Sequence, residues 1–163
     1  HSIPVAMAAC APYEHQLREA CRLVVERLRP SGGLTGPTDW ALVFQSRSGP
    51  PSQPWLEPSI DDHIRQLHAT GEVPDVVGVP IGFLAEHMEM VYDLDIEARR
   101  LCEDLGINRV RVPVVGTHPR FVRMIRELVM ERVDPASPRL ALGTDGPWPD
   151  QCPPDCCRSR EMP

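Results

Sequence analysis

Three short apolar runs, WALVF at 40–44, DVVGV at 75–79 and RVRVPVV at 109–115, are separated by stretches with helical spacing. No other feature constrains the fold as tightly. Runs this short, rich in Val and bounded by Gly and Pro, read as buried strands. Each crossover between them is helical, so the strands should lie parallel with right-handed connections. The first helix spans 13–28, with Leu17, Ala20, Cys21, Val24, Val25 and Leu28 on one face and Pro30 beyond its end. Ser59 should cap the second, with Asp61 and Asp62 in its first turn and Gly71 at its close. An acidic helix follows residues 80–84 and ends near Gly106. Thr117 is the expected cap of the last helix, which carries Pro119 in its first turn and Phe121, Ile125, Leu128 and Val129 as its apolar stripe. Beyond Val133 the chain turns Pro- and Gly-rich and should lose regular structure. The expectation is an α/β domain over 1–133, with a parallel sheet of three or four strands, and an extension over 134–163.

The 163 residues suffice for one domain with a real core. A net charge of −6 argues against a nucleic-acid partner, which requires a basic face. No apolar run nears the roughly 20 residues of a membrane span, and no signal peptide is visible, so a cytoplasmic location is expected. The chain opens on His1 rather than Met, which suggests a piece of a longer polypeptide. All 17 basic residues are Arg, as a GC-rich coding sequence would produce.

The segment EHMEMVYDLDIE at 86–97 packs five carboxylates and a histidine among apolar residues. On a helix, Glu86, Glu89, Asp93 and Glu97 fall in one narrow sector, beside an apolar arc of Met90, Val91, Leu94, Ala98 and Leu101. Like charges at i,i+4 destabilise a helix, and no Arg lies within the ladder. Two readings stand: a solvated acidic face, or a route for a cation or protons. His87 falls on the apolar side, as a core histidine or as a ligand. Open parallel sheets bind ligands at the carboxyl ends of their strands. Residues 1–4, the Pro-rich loop 45–58, 82–89 and 116–119 should therefore meet in one crevice. There, His1 and a facing glutamate could bind a divalent metal or take protons from a substrate.

Cys10, Cys21 and Cys102 are scattered and read as small buried hydrophobes. Cys152, Cys156 and Cys157 cluster in CPPDCC, which reads as metal or Fe–S ligation in a cytosolic chain, or else as incidental thiols on a disordered end.

Four motifs, HSIP at 1–4, FQSRSGP at 44–50, PWLEP at 54–58 and VPIGFLAEHMEMVYDLDIE at 79–97, resemble the ferrochelatases in the same order. The resemblance runs from His1 to about Val133. It implies a three-layer αβα, chelatase-like fold forming one lobe of a two-lobe enzyme that inserts Fe2+ into a porphyrin. It implies that His1 and Glu89 are the catalytic, metal-facing pair, and that Asp93 and Glu97, with Glu86 and His87 beside them, form a metal or proton path. Gln45, Ser46 and Trp55 would line the porphyrin, and a π-type turn would widen the acidic helix. The tail resembles the extension of bacterial ferrochelatases that carry a [2Fe–2S] cluster. Cys152, Cys156 and Cys157 would then be three of its four ligands, the fourth lying outside this chain. The high-GC bacterial type points to coproporphyrin III first and protoporphyrin IX next, and the chain alone should be inactive. A cobalt or nickel chelatase using paired His1 and His87, or a non-catalytic metal or Fe–S module, are the alternatives. Oligomeric state is not legible.

Overall fold

The computed structural model describes residues 1–31, 40–71, 75–152 and 154. After the short helix α1 (Val5–Ala8), α2 occupies Tyr13–Leu28, the bounds its periodicity predicts. Helix α3 (Ile60–Thr70) starts where Ser59 Oγ accepts a hydrogen bond from the Asp62 N–H at 3.1 Å. It stops at Gly71, whose φ of 70° is left-handed backbone that glycine adopts without strain. Strand β1 (Asp75–Gly78) then leads to the acidic helix. That helix is continuous but changes winding: α4 (Met88–Met90), a π-helical segment (Val91–Ala98) and α5 (Arg99–Asp104). Strand β2 (Asn108–Arg111) and helix α6 (Pro119–Val133) follow.

The two strands pair in parallel, with Asp75 opposite Asn108 and Gly78 opposite Arg111. The acidic helix is the crossover between them, so the chain is α/β with a short open parallel sheet. Ile64 of α3, Ala98, Cys102 and Ile107 form the buried cluster, with Val76 and Leu101 packed against it. The sheet is thereby locked under the helix that carries the acids.

Several expectations change. Residues 40–44 do not form a strand: Phe44 makes a single parallel bridge to Ser59, so the described sheet has two strands rather than three or four. Phe44 N–H donates to Pro58 at 3.0 Å and its carbonyl accepts from Ile60 at 2.9 Å. Pro58 has no N–H to extend the ladder, and the chain leaves it at Ser46 with a φ of 61°. Strand β2 is shorter than 109–115 because Pro113 removes a donor; its last bond is Val112 N–H to the Gly78 carbonyl at 2.9 Å. His118, not Thr117, caps α6, its Nδ1 accepting from Arg120 at 3.3 Å. The stripe of α6 is largely uncovered: Ile125, Leu128 and Val129 are exposed. Among the described residues no helix or strand follows Val133, yet the extension folds back. Asp145 meets His15 at 2.8 Å, and Asp150 meets Arg132 and Arg139 at 2.8 Å each.

Ile64 is 2% exposed at the centre of the cluster. Ile64→Ala should lower unfolding stability by about 2–5 kcal/mol, read by urea denaturation followed by circular dichroism.

Candidate metal-facing site

The first five residues run between two neighbours as a third wall. Ser2 N–H donates to the Gln45 carbonyl at 2.8 Å, Leu56 N–H to the Ile3 carbonyl at 3.0 Å, and Val5 N–H to the Pro54 carbonyl at 3.0 Å. The Ser2 hydroxyl donates to the Leu56 carbonyl at 2.7 Å, and Ser2 is buried. The Tyr13 hydroxyl holds the His1 carbonyl at 2.9 Å. A backbone satisfied on both sides fixes the position of the imidazole.

That imidazole meets the acidic helix. His1 Nε2 lies 3.3 Å from Glu89 Oε1, both side chains partly exposed. His1 Nδ1 sits against the Ser2 carbonyl, so both ring nitrogens face oxygen acceptors. A proton or a cation between the imidazole and the carboxylate stabilises their contact. The pair is in direct contact, so no macrocycle-wide gap separates the two groups.

One turn on, Asp93 is held from the side. Gln45 Nε2 donates to Asp93 Oδ2 at 3.1 Å, and the Ser46 hydroxyl donates to the same oxygen. Gln45 is buried. Left-handed backbone at a non-glycine residue such as Ser46 costs about 1–3 kcal/mol and clusters at functional positions. Here it aims a hydroxyl at a carboxylate. A cavity of about 280 Å³ is lined by Ser2, Gln45, Ser46, Asp61, Asp93 and Glu97, among others. Trp55 bridges Pro4, and its indole N–H is buried without a partner. Gly49, at a φ of 90°, lies so close that a Cβ there would sit 3.5 Å from the Trp55 ring.

Two of the anticipated residues lie elsewhere. Glu86 precedes the helix and pairs with Arg111 at 2.7 Å, so the ladder is Glu89, Asp93 and Glu97. The Arg111 guanidinium holds both Glu86 and Asp95 below the usual carboxylate range. His87 is exposed and caps the helix, its Nδ1 accepting from Met90 N–H at 3.4 Å, with its ring 4.8 Å from that of Phe83. Asp93 and Glu97 have no cationic partner among the described residues.

Sequence reasoning missed Asp61, Arg111 and Tyr13. Asp61 looked like an ordinary first-turn acid; only the packing of α3 shows that it lines the same cavity as Asp93. Burial pushes the Asp61 carboxyl up, opposed by Arg65 and reinforced by Asp62 and Asp93. Cys102 is buried, Cys10 and Cys21 are half-buried and Cys152 is exposed; all four are free, and Cys156 and Cys157 lie outside the described residues. Burial raises the Cys21 and Cys102 thiols, which disfavours the thiolate. Among the described residues no three His, Cys, Asp or Glu side chains converge as ligands, and no helix is long and apolar enough to cross a membrane.

The sequence model of the family Ferrochelatase matches residues 1–133. The chain is 50% identical over 157 residues to the Ferrochelatase of Rhodopirellula baltica, covering 96% of this chain and 43% of that protein. It is 49% identical over 131 residues to the Coproporphyrin III ferrochelatase of Leifsonia xyli, covering 79% of this chain and 33% of the relative. With the protein of the same name from Frankia alni it shares 43% identity over 162 residues, 96% of this chain and 41% of the relative. The chain thus spans less than half the length of these relatives.

The raised Asp61 carboxyl sets a sign. Its folded form favours the proton, so its contribution to stability is complete below the ordinary aspartate range and is lost as pH rises through the raised value. Asp61→Asn should therefore raise the melting temperature at pH 7 and leave it unchanged near pH 3. A scan of melting temperature against pH for both proteins checks this.

Proposed function

The chain belongs to the ferrochelatase family, and on that premise we propose that it supplies the metal-facing part of an enzyme inserting ferrous iron into a porphyrin, coproporphyrin III ahead of protoporphyrin IX. The 3.3 Å contact between His1 and Glu89 carries the reading. As Fe2+ enters a porphyrin, the four nitrogens take the metal and two N–H protons must leave. The group facing the ring must therefore accept protons without a permanent hold on the metal. The His1 imidazole and the Glu89 carboxylate, both partly solvent-exposed, can each take one proton and pass it outward. Asp93 and Glu97 line the adjoining cavity and offer carboxylate oxygens to a hydrated dication. A two-group contact rather than a converged ligand set suits a metal that is cargo and has to depart. Gln45, Ser46 and Trp55 sit beside it, where a flat apolar ring would rest. The names of the Leifsonia xyli and Frankia alni relatives support coproporphyrin III as the first substrate.

The reading extends to the tail and to a cytoplasmic location, where thiols stay reduced. Cys152, Cys156 and Cys157 supply three thiolates toward a [2Fe–2S] cluster, which needs four. The resemblance implies that the fourth ligand lies outside this chain. Residues 134–163 are then an extension on the chelatase lobe of 1–133.

The test is a chimera in which this chain replaces the matched segment of the Rhodopirellula baltica ferrochelatase. It should form metalloporphyrin, with a higher kcat/KM on coproporphyrin III than on protoporphyrin IX, while the chain alone should give no turnover. Glu89→Gln and His1→Ala should each reduce kcat/KM by about 100-fold or more. A wild-type rate in either variant would overturn the reading. Cys152→Ser should abolish the visible absorption of a reconstituted cluster without changing the metal-insertion residues.

A further inference from the structure

We propose that Arg111 is the positioning residue of this site: it fixes the winding of the acidic helix and so aims Glu89, Asp93 and Glu97. The proposal rests on the metal-facing role given above to those three carboxylates.

Arg111 ends strand β2, in register with Gly78. From there its guanidinium makes four hydrogen bonds to two carboxylates, besides a long one of 3.5 Å from Nη1 to the Val112 carbonyl. Nε and Nη2 donate to the two oxygens of Asp95 at 3.0 and 2.6 Å. Nη1 and Nη2 donate to the two oxygens of Glu86 at 2.7 and 2.9 Å. The Arg111 side chain is 15% exposed. A planar fork used twice fixes orientation as well as distance, which a lysine ammonium does not.

The two carboxylates it joins matter by their places. Glu86 lies just before the helix begins, and Asp95 lies inside the π-helical segment. An α-helix turns about 100° per residue, and a π-helix, with i→i+5 bonding, about 82°. The difference, about 18° per residue, accumulates along the segment. Over its eight residues, reversion to α winding would turn the start of the helix by roughly 140° relative to Ala98 and the core. Glu89 would swing away from His1. A single rigid group holding a point before the helix and a point within the π segment fixes their relative rotation and resists that reversion. The same geometry sets direction: a two-residue step in π winding is about 165°, so pinning Asp95 toward the sheet turns Asp93 and Glu97 to the opposite side, toward the cavity.

Arg111 touches none of Glu89, Asp93 or Glu97, so its effect is indirect. The experiment uses the 163-residue chain, titrated with Co2+ in place of Fe2+, together with amide hydrogen exchange over 91–98. Arg111→Met should weaken Co2+ binding by about 10- to 100-fold, as loss of groups that orient metal-facing residues does. It should also speed exchange across 91–98 while the far-UV spectrum and the exchange of α2 stay as in the wild type. Arg111→Lys, which keeps the charge and loses the fork, should not restore binding. Asp95→Asn keeps the Arg111–Glu86 pair and serves if Arg111→Met does not fold; it should reproduce the same loss.

Wild-type Co2+ affinity and exchange in Arg111→Met or Asp95→Asn would overturn the proposal, as would full rescue by Arg111→Lys. If the wild-type chain binds no Co2+ at Glu89, judged by an unchanged titration in Glu89→Gln, the metal-facing reading fails. In that case the exchange of 91–98 still decides the clamp: faster exchange in both variants upholds it and unchanged exchange rejects it.

Discussion

A strict period of four governs the acidic helix, and the rest of the structure depends on it. Met90, Leu94, Ala98 and Cys102 recur at four-residue intervals and are all buried. In pure α winding a four-residue step overshoots a full turn by about 40°, and such a stripe would spiral off the core within three steps. In π winding the step falls short by about 30°. An α turn, a π segment and an α turn in series average close to four residues per turn, so the stripe stays straight. The apolar period thus demands the mixed winding, and burial of the stripe, with Ala98 and Cys102 packed against Ile64, stabilises it. The ladder Glu89, Asp93, Glu97 runs one residue ahead with the same period. It stays straight for the same reason, with Glu89 against His1 and with Asp93 and Glu97 lining the cavity.

This divides the five carboxylates of the segment into two groups. Glu86 is off the period and Asp95 lies on the far side; both are paired with Arg111. Glu89, Asp93 and Glu97 are on the period and meet only neutral donors or an imidazole. The structure compensates the acids that build the helix and leaves uncompensated those that face the cavity.

Much of this was legible in the sequence because it is local. Periodicity placed α2 to the residue, Ser59 and Gly71 announced both ends of α3, and DVVGV announced β1. The rule that parallel sheets gather ligands at their carboxyl ends brought His1 and the acidic stretch to one crevice, and the resemblance to the ferrochelatases singled out Glu89. What sequence could not give was tertiary. Whether residues 40–44 make a strand depends on what lies beside Phe44, and the neighbour is a proline. Glu86 seemed part of the ladder because 86 and 89 are three apart, a good α spacing, whereas the real period is four. Arg111 lies 14 residues beyond the end of the acidic segment and reaches it only because β2 returns alongside β1. The stripe of α6 predicts burial that the described residues do not provide.

The uncompensated acids have an energetic consequence. Three carboxylates in a column repel one another, and a folded helix that keeps them ionised loses stability unless positive charge arrives. Gln45 and Ser46 relieve Asp93 only in part, because neutral donors supply hydrogen bonds and no countercharge. A dication in the cavity relieves the column outright, and so do protons taken up from outside. On the proposed metal-insertion reading, the same field that would draw Fe2+ inward would also favour protons leaving a porphyrin held near His1. Delivery and deprotonation are opposed in direction but share one source, a column of carboxylates held straight by its period and kept free of arginine.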